Sequence, residues 1–196
     1  MRESRTLRES RERVDKRLTF DIENRPLSYW YDGQSTADVT VIAWKWETNH
    51  KADSVMQDQT TTTRDILEQF RPVIDQADVV VGHNIRQHDL SLLNAQYIIH
   101  GMAPLKPILT IDTLRDLPKW KDVPRSLEYL TDLLGCPLQK FHMTQHSWRT
   151  ANALRDDSAL ALAKTRCEVD VLASEWVWKE LEKRGLLTKQ PRMWKP

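Results

Sequence analysis

The run Thr19-Phe20-Asp21-Ile22-Glu23-Asn24 sets two carboxylates one residue apart in an apolar setting. Side chains of a strand alternate between faces, so Asp21 and Glu23 point the same way. Like charges at that spacing repel, which makes ionising both near a core costly. A divalent cation relieves the repulsion, and hard carboxylate oxygens suit Mg2+ or Mn2+ rather than Zn2+. The alternative is an edge strand with its polar face in water. Two more acids stand where a carboxylate needs a reason. Asp89 follows the apolar run Asp78–Gly82 and opens a helix patterned by Leu90, Leu92, Leu93 and Tyr97. In a layered α/β fold that position borders a cleft at the sheet edge. Asp170 sits among Val169, Val171 and Leu172 in a long helical pattern. Aspartate is a poor residue for a helix interior, so Asp170 either faces solvent or has a partner.

These acids need strands and helices to bring them together. Leu18–Glu23 is expected as the first strand, Val39–Trp46 as the second and Ser54–Gln57 as a short third. Between the first two, residues 24–38 carry turn residues and the adjacent aromatics Tyr29, Trp30 and Tyr31, which either stack a base or pack on the sheet. Ile66, Leu67, Phe70, Val73 and Ile74 mark a helix capped by Thr62 or Thr63. Asp78–Gly82 is a buried strand, and Ile108–Thr113 another that includes Asp112. Ser126–Leu134 is a helix closed by Gly135. Residues 136–149, with His142, His146 and Trp148, are expected as a loop. A long helix, or two abutting ones, follows from Ser158 to Arg184, capped by Asp156, Asp157 or Ser158.

The domain expected from this order spans residues 18–185. An Arg- and Glu-rich arm at 1–17 precedes it, read as a solvated segment or as one that contacts phosphates or a partner. A basic tail at 186–196, with Pro191 and Trp194, follows and is expected to order on a partner. A chain of 196 residues fits one domain, and its 40% hydrophobic and 29% charged residues are those of a protein with a core and a polar surface. The net charge of +1 excludes a global basic field, so any nucleic-acid surface must be local. Cys136 and Cys167 are far apart and form no CxxC, which argues against a disulfide framework or zinc site and suits the cytoplasm. No run reaches membrane length and the N-terminus lacks a signal-peptide pattern.

FDIEN at 20–24, GHNIRQHD at 82–89 and CEVDV at 167–171 resemble, in order, the three motifs of the DnaQ-like, DEDD-type 3′–5′ exonucleases. IDTL at 111–114 and SLEYLTDLLG at 126–135 resemble the segments between the second and third motifs. The resemblance covers about residues 17–184 and is greatest to phage-encoded members, which share FDIE and a late tryptophan loop like that of Trp148. It implies an RNase H-like fold: a mixed five-stranded sheet, its first three strands antiparallel, flanked by helices. It also implies that Asp21, Glu23, Asp89 and Asp170 bind two divalent cations, Mg2+ or Mn2+, for hydrolysis by a two-metal mechanism. The expected partner is nucleic acid with a free 3′ end, single-stranded DNA first. A polymerase or another replication or repair protein would be needed for proofreading. Asn24, Arg25, Trp30, Asn84 and Arg86 are candidate substrate contacts, with Asn84 and His83 also able to brace their turn and Asp112 able to brace the cleft.

The chain departs from the family in its last helix. The family carries a Tyr four residues before the final Asp, or a His five before it. Here those positions hold Arg166 and Thr165. Arginine stays protonated and cannot act as a base. One turn from Asp170, Arg166 would pair with the carboxylates or hold a substrate phosphate in a fork. Three readings stay open: the metal centre suffices alone, His142 or His146 is the base, or the site binds nucleic acid and barely cuts. A non-nuclease scaffold with surface acids is the remaining alternative.

Overall fold

The computed structural model describes residues 15–24, 38–119, 121–138, 142–187 and 191–196. Arg25 and Trp30, with the other aromatics of their loop, lie outside the described residues, as does the arm up to residue 14.

β1 (Arg17–Asn24) runs through the middle of the sheet. It pairs antiparallel with β2 (Val39–Trp46) and parallel with β4 (Val79–Gly82). β3 (Asp53–Met56) adds antiparallel to β2, and β5 (Ile108–Asp112) adds parallel to β4. The first three strands are therefore antiparallel, as in the RNase H-like arrangement. A sixth strand, β6 (Arg192–Trp194), then pairs antiparallel with β5, giving the order β3-β2-β1-β4-β5-β6. The sixth strand comes from the segment expected as a tail. It satisfies backbone groups that the β5 edge would otherwise expose and buries Trp194 against the main core.

Period-two alternation divides β1 between two cores. Leu18, Phe20 and Ile22 pack against α1 (Thr63–Ile74) and α2 (Asp89–Ile99), with Phe70 lying 5.3 Å from both Phe20 and Trp44. Thr19, Asp21 and Glu23 face the other way. On that face Val41 and Ala43 of β2 meet Ala163, Cys167 and Val171 of α5 (Asp157–Lys183). Four of those five contacts are alanine, cysteine or valine within one helix-to-sheet seam, so α5 lies close to the strands that carry the acids. β4 reads VVVG without alternation because helices cover both its faces. α3 (Leu127–Leu134) packs on α5 through Leu130 and Leu134 against Val177 and Leu181. Part of the expected 136–149 loop is helical. α4 (Gln145–Leu154) starts within it, capped by Thr144, whose hydroxyl accepts the Ser147 N–H at 3.1 Å.

Candidate metal centre

The register sets Asp21 opposite Ala43 and Glu23 opposite Val41, so both acids flank small or β-branched neighbours and look toward α5. Cys167 draws the helix in: its thiol donates to the backbone carbonyl of Asp21 at 3.3 Å and lies 3.7 Å from Asp21 Oδ2. Three residues on, Asp170 comes over the strand. One carboxylate oxygen from each of Asp21, Glu23 and Asp170 lies within 4.8 Å of the other two. Asp89 stands beside this trio at the first position of α2. Its Oδ1 accepts the N–H of Ile22 at 3.2 Å, between the two strand acids, and lies 3.6 Å from His88 Nδ1.

Burial pushes the Asp21 carboxyl well above the usual range, and the charges of Asp89, Glu23 and Asp170 add to it. Burial also raises Asp89, although His88 pulls it back. Glu23 is raised by burial to about 7 despite the opposing pull of Arg166. Four acids drawn together at such a cost make an all-oxygen donor set that matches Mg2+ or Mn2+.

Arg166 enters this centre. Its Nε donates to Glu23 Oε1 at 2.8 Å and its terminal nitrogen lies 3.5 Å from Asp170 Oδ2. Its guanidinium carbon is 5.7 Å from the Trp148 ring centroid, a cation–π contact from α4. Burial works against its charge, but Glu23 and Asp170 outweigh it and raise its pKa further. The position that holds Tyr in the resembled family is thus filled by a fixed cation on the carboxylates.

The other expected site residues are placed differently. Asn24 ends β1 just past a register shift after Glu23. Asn84 adopts a φ of 62°, a left-handed conformation that asparagine tolerates, and its side-chain carbonyl accepts from Arg115 Nε at 3.3 Å. Asp112 is fully buried and accepts the N–H groups of Asn84, Arg86, Leu114 and Arg115 at 3.0–3.2 Å. It fixes the turn that leads to Asp89. The Arg86 guanidinium lies 2.5 Å from Asp116 and 3.7 Å from Asp112, inside the same bracing network rather than on an open surface. His142 is exposed, with Nε2 3.5 Å from Glu128 of α3. Glu128 and Asp170 line one shallow cavity between α3 and α5, so His142 stands at its outer rim. His146 is exposed on the first turn of α4.

The roles of Cys167 and Asp116 were not apparent from sequence. Nor was the buried pair Lys45–Glu175, at 2.7 Å, which ties β2 to α5 beyond the metal centre. Alternation does put Lys45 on the same face of β2 as Ala43 and Val41, which was the available signal.

No protein-family model and no curated protein sequence matches this chain. Among solved structures, it is similar in fold to the family B DNA polymerase from the hyperthermophilic archaeon Pyrobaculum calidifontis, with a TM-score of 0.66 and 15% identity. The match covers 86% of this chain and 24% of that one, so the chain spans about a quarter of the polymerase's length. At that identity the likeness is one of fold: a mixed sheet flanked by helices, shared with part of a DNA polymerase. Among the described residues no helix is long and apolar enough to cross a membrane.

Proposed function

We propose that the chain is a metal-dependent 3′–5′ exonuclease that releases nucleoside 5′-monophosphates from the 3′ end of nucleic acid, single-stranded DNA first. The observation that carries this reading is the convergence of Asp21, Glu23 and Asp170 within 4.8 Å, with Asp89 hydrogen-bonded to the residue between the strand acids. The fold shared with part of a DNA polymerase supports it. So does the order of the three motifs.

Asp21, Glu23, Asp89 and Asp170 would hold two Mg2+ or Mn2+ ions. Bound there, such ions lower the pKa of water and offset charge on the scissile phosphate and the leaving 3′ oxygen. The protein's part is positional. β1 and α5 present the carboxylates from opposite sides, and Asp112 fixes the turn before Asp89. Arg166, backed by Trp148, supplies a planar fork suited to a phosphate. His142, at the rim, is the expected proton acceptor. A replication or repair protein in the cytoplasm is the expected partner.

A second reading, a nucleic-acid-binding subunit with weak catalysis, is favoured by Arg166 on Glu23 at 2.8 Å where a base is usual. Digestion of 3′- and 5′-labelled single-stranded oligonucleotides, with Mg2+, Mn2+ or EDTA, separates the two. Stepwise 3′ shortening, lost in EDTA and in Asp21→Ala, is the expected result. Metal-dependent binding with no shortening would select the second reading.

A further inference from the structure

Arg166 is the one cation described in direct contact with the carboxylate trio, and it is fixed there on three sides. Glu23 holds Nε at 2.8 Å, Asp170 faces the terminal nitrogen at 3.5 Å, and the Trp148 ring backs the guanidinium at 5.7 Å. The side chain is 18% exposed, so this contact is not a screened surface pair. Both of its acidic partners are also expected cation ligands. A guanidinium and a divalent cation therefore compete for the same oxygens.

We infer that Arg166 is a built-in counter-cation that limits the free protein to one tightly held divalent cation, and that the second binds together with a nucleotide phosphate. This rests on the exonuclease reading and deepens it. The argument is one of charge. Asp21, Glu23, Asp89 and Asp170, all ionised, carry four negative charges, and Arg166 reduces them to a net of three. One divalent cation leaves the centre one charge negative. A second would overshoot to one positive in a largely enclosed site, where uncompensated charge is costly. A phosphodiester supplies the missing negative charge and offers the Arg166 fork a new bidentate partner. Its arrival frees Glu23 and Asp170 oxygens and balances the second cation at once. Cation and phosphate then favour each other, and the coupling is reciprocal. His88, 3.6 Å from Asp89, would add charge if protonated, so the count applies where it is neutral.

The test is Mn2+ binding by the full chain at about pH 8, where histidine is neutral. Calorimetry and the paramagnetic resonance of free Mn2+ are read with and without thymidine 5′-monophosphate. The natural sequence is expected to take one ion tightly and a second at least roughly tenfold more weakly, with the nucleotide closing the gap by about tenfold. Arg166→Gln should take two ions of similar affinity without nucleotide. Arg166→Lys, which keeps the charge, should behave like the natural sequence. Circular dichroism confirms that each variant is folded. Two equal ions in the natural sequence without nucleotide would overturn the inference while leaving the exonuclease reading intact. The same holds if Arg166→Lys behaves like Arg166→Gln. No Mn2+ bound by any of the three would overturn both.

Discussion

Asp21, Glu23 and Asp89 are carboxyls that the fold makes reluctant to ionise, and this sets how metal-free stability depends on pH. Each has a folded pKa above its unfolded value, so the native state binds more protons than the unfolded chain between the two. Stability contributed by the protonated groups is full below about pH 4, the unfolded carboxylate range. It is lost as pH rises, through about 7 in the case of Glu23. In EDTA, urea midpoints should therefore fall as pH rises from about 4.5 to 7, by the order of 1–3 kcal/mol. Saturating Mn2+ should flatten that fall, because it favours the ionised form. A metal-free profile that rises across this window would mean the carboxyls are not held together as described. Asp21→Asn tests the same repulsion at one residue. It keeps the shape and removes a charge that Asp89, Glu23 and Asp170 oppose. In EDTA near neutral pH the variant should be more stable than the natural sequence by about 1–2 kcal/mol. In Mn2+ the order should reverse, since the variant lacks a ligand. Equal stability of the two chains in EDTA would contradict this account. The pairing of Asp21 with Glu23 was legible in sequence because a strand's alternation is local. The structural engagement of Arg86 was not, because its partner Asp116 lies thirty residues away and only the β4–β5 pairing brings them together.

Among the elements, the junction of β4 with α2 does most to place a ligand. β4 ends at Gly82, and a Cβ there would lie 2.6 Å from Ile85 Cδ1 and 3.0 Å from Ile85 Cβ. Ile85 is fully buried, so it cannot swing into solvent. The close approach lets the chain reverse from β4 and present Asp89 at the start of α2. Gly82→Ala should cost about 1–3 kcal/mol by overpacking. Because relief comes through the 83–88 turn, it should also weaken Mn2+ binding by about tenfold or more. Thermal melts and Mn2+ titrations of the same variant check both. Loss of stability with unchanged Mn2+ affinity would show that the turn absorbs the clash without moving Asp89. The strands β1, β2 and β4 and the helices α1 and α5 were legible from apolar period and caps. α4 was not, because most of its first turn is polar and its only clear marker is the Thr144 cap.

At the scale of the whole molecule, the last strand joins the fold to the centre. Trp194 of β6 is 9% exposed and packs with the core that holds Leu18, Phe20 and Ile22. Thr110 of β5 donates its hydroxyl to the Arg192 carbonyl at 2.8 Å. Arg192 Nε lies 3.9 Å from Asp116, which grips Arg86 in the turn that leads to Asp89. Three residues carry too short a pattern to read as a strand, and Pro191 with the flanking lysines made the segment look like a tail. Its order comes from one large side chain finding the core and from a waiting sheet edge, neither of which is a local property. Trp194→Ala should therefore destabilise the chain by about 3–5 kcal/mol, as for a buried aromatic, rather than by the few tenths expected of a surface residue. Removing residues 188–196 should have at least that effect and should leave β5 as an unprotected edge. The shortened chain should then self-associate with rising concentration, seen as a growing sedimentation coefficient. Asp21, Glu23 and Asp170 sit on β1 and α5, away from that edge, so Mn2+ affinity per folded chain should fall much less than for Gly82→Ala. Urea midpoints of Trp194→Ala equal to those of the natural sequence would show that β6 is not an integral strand. A shortened chain that stayed monomeric would show that something else covers the β5 edge.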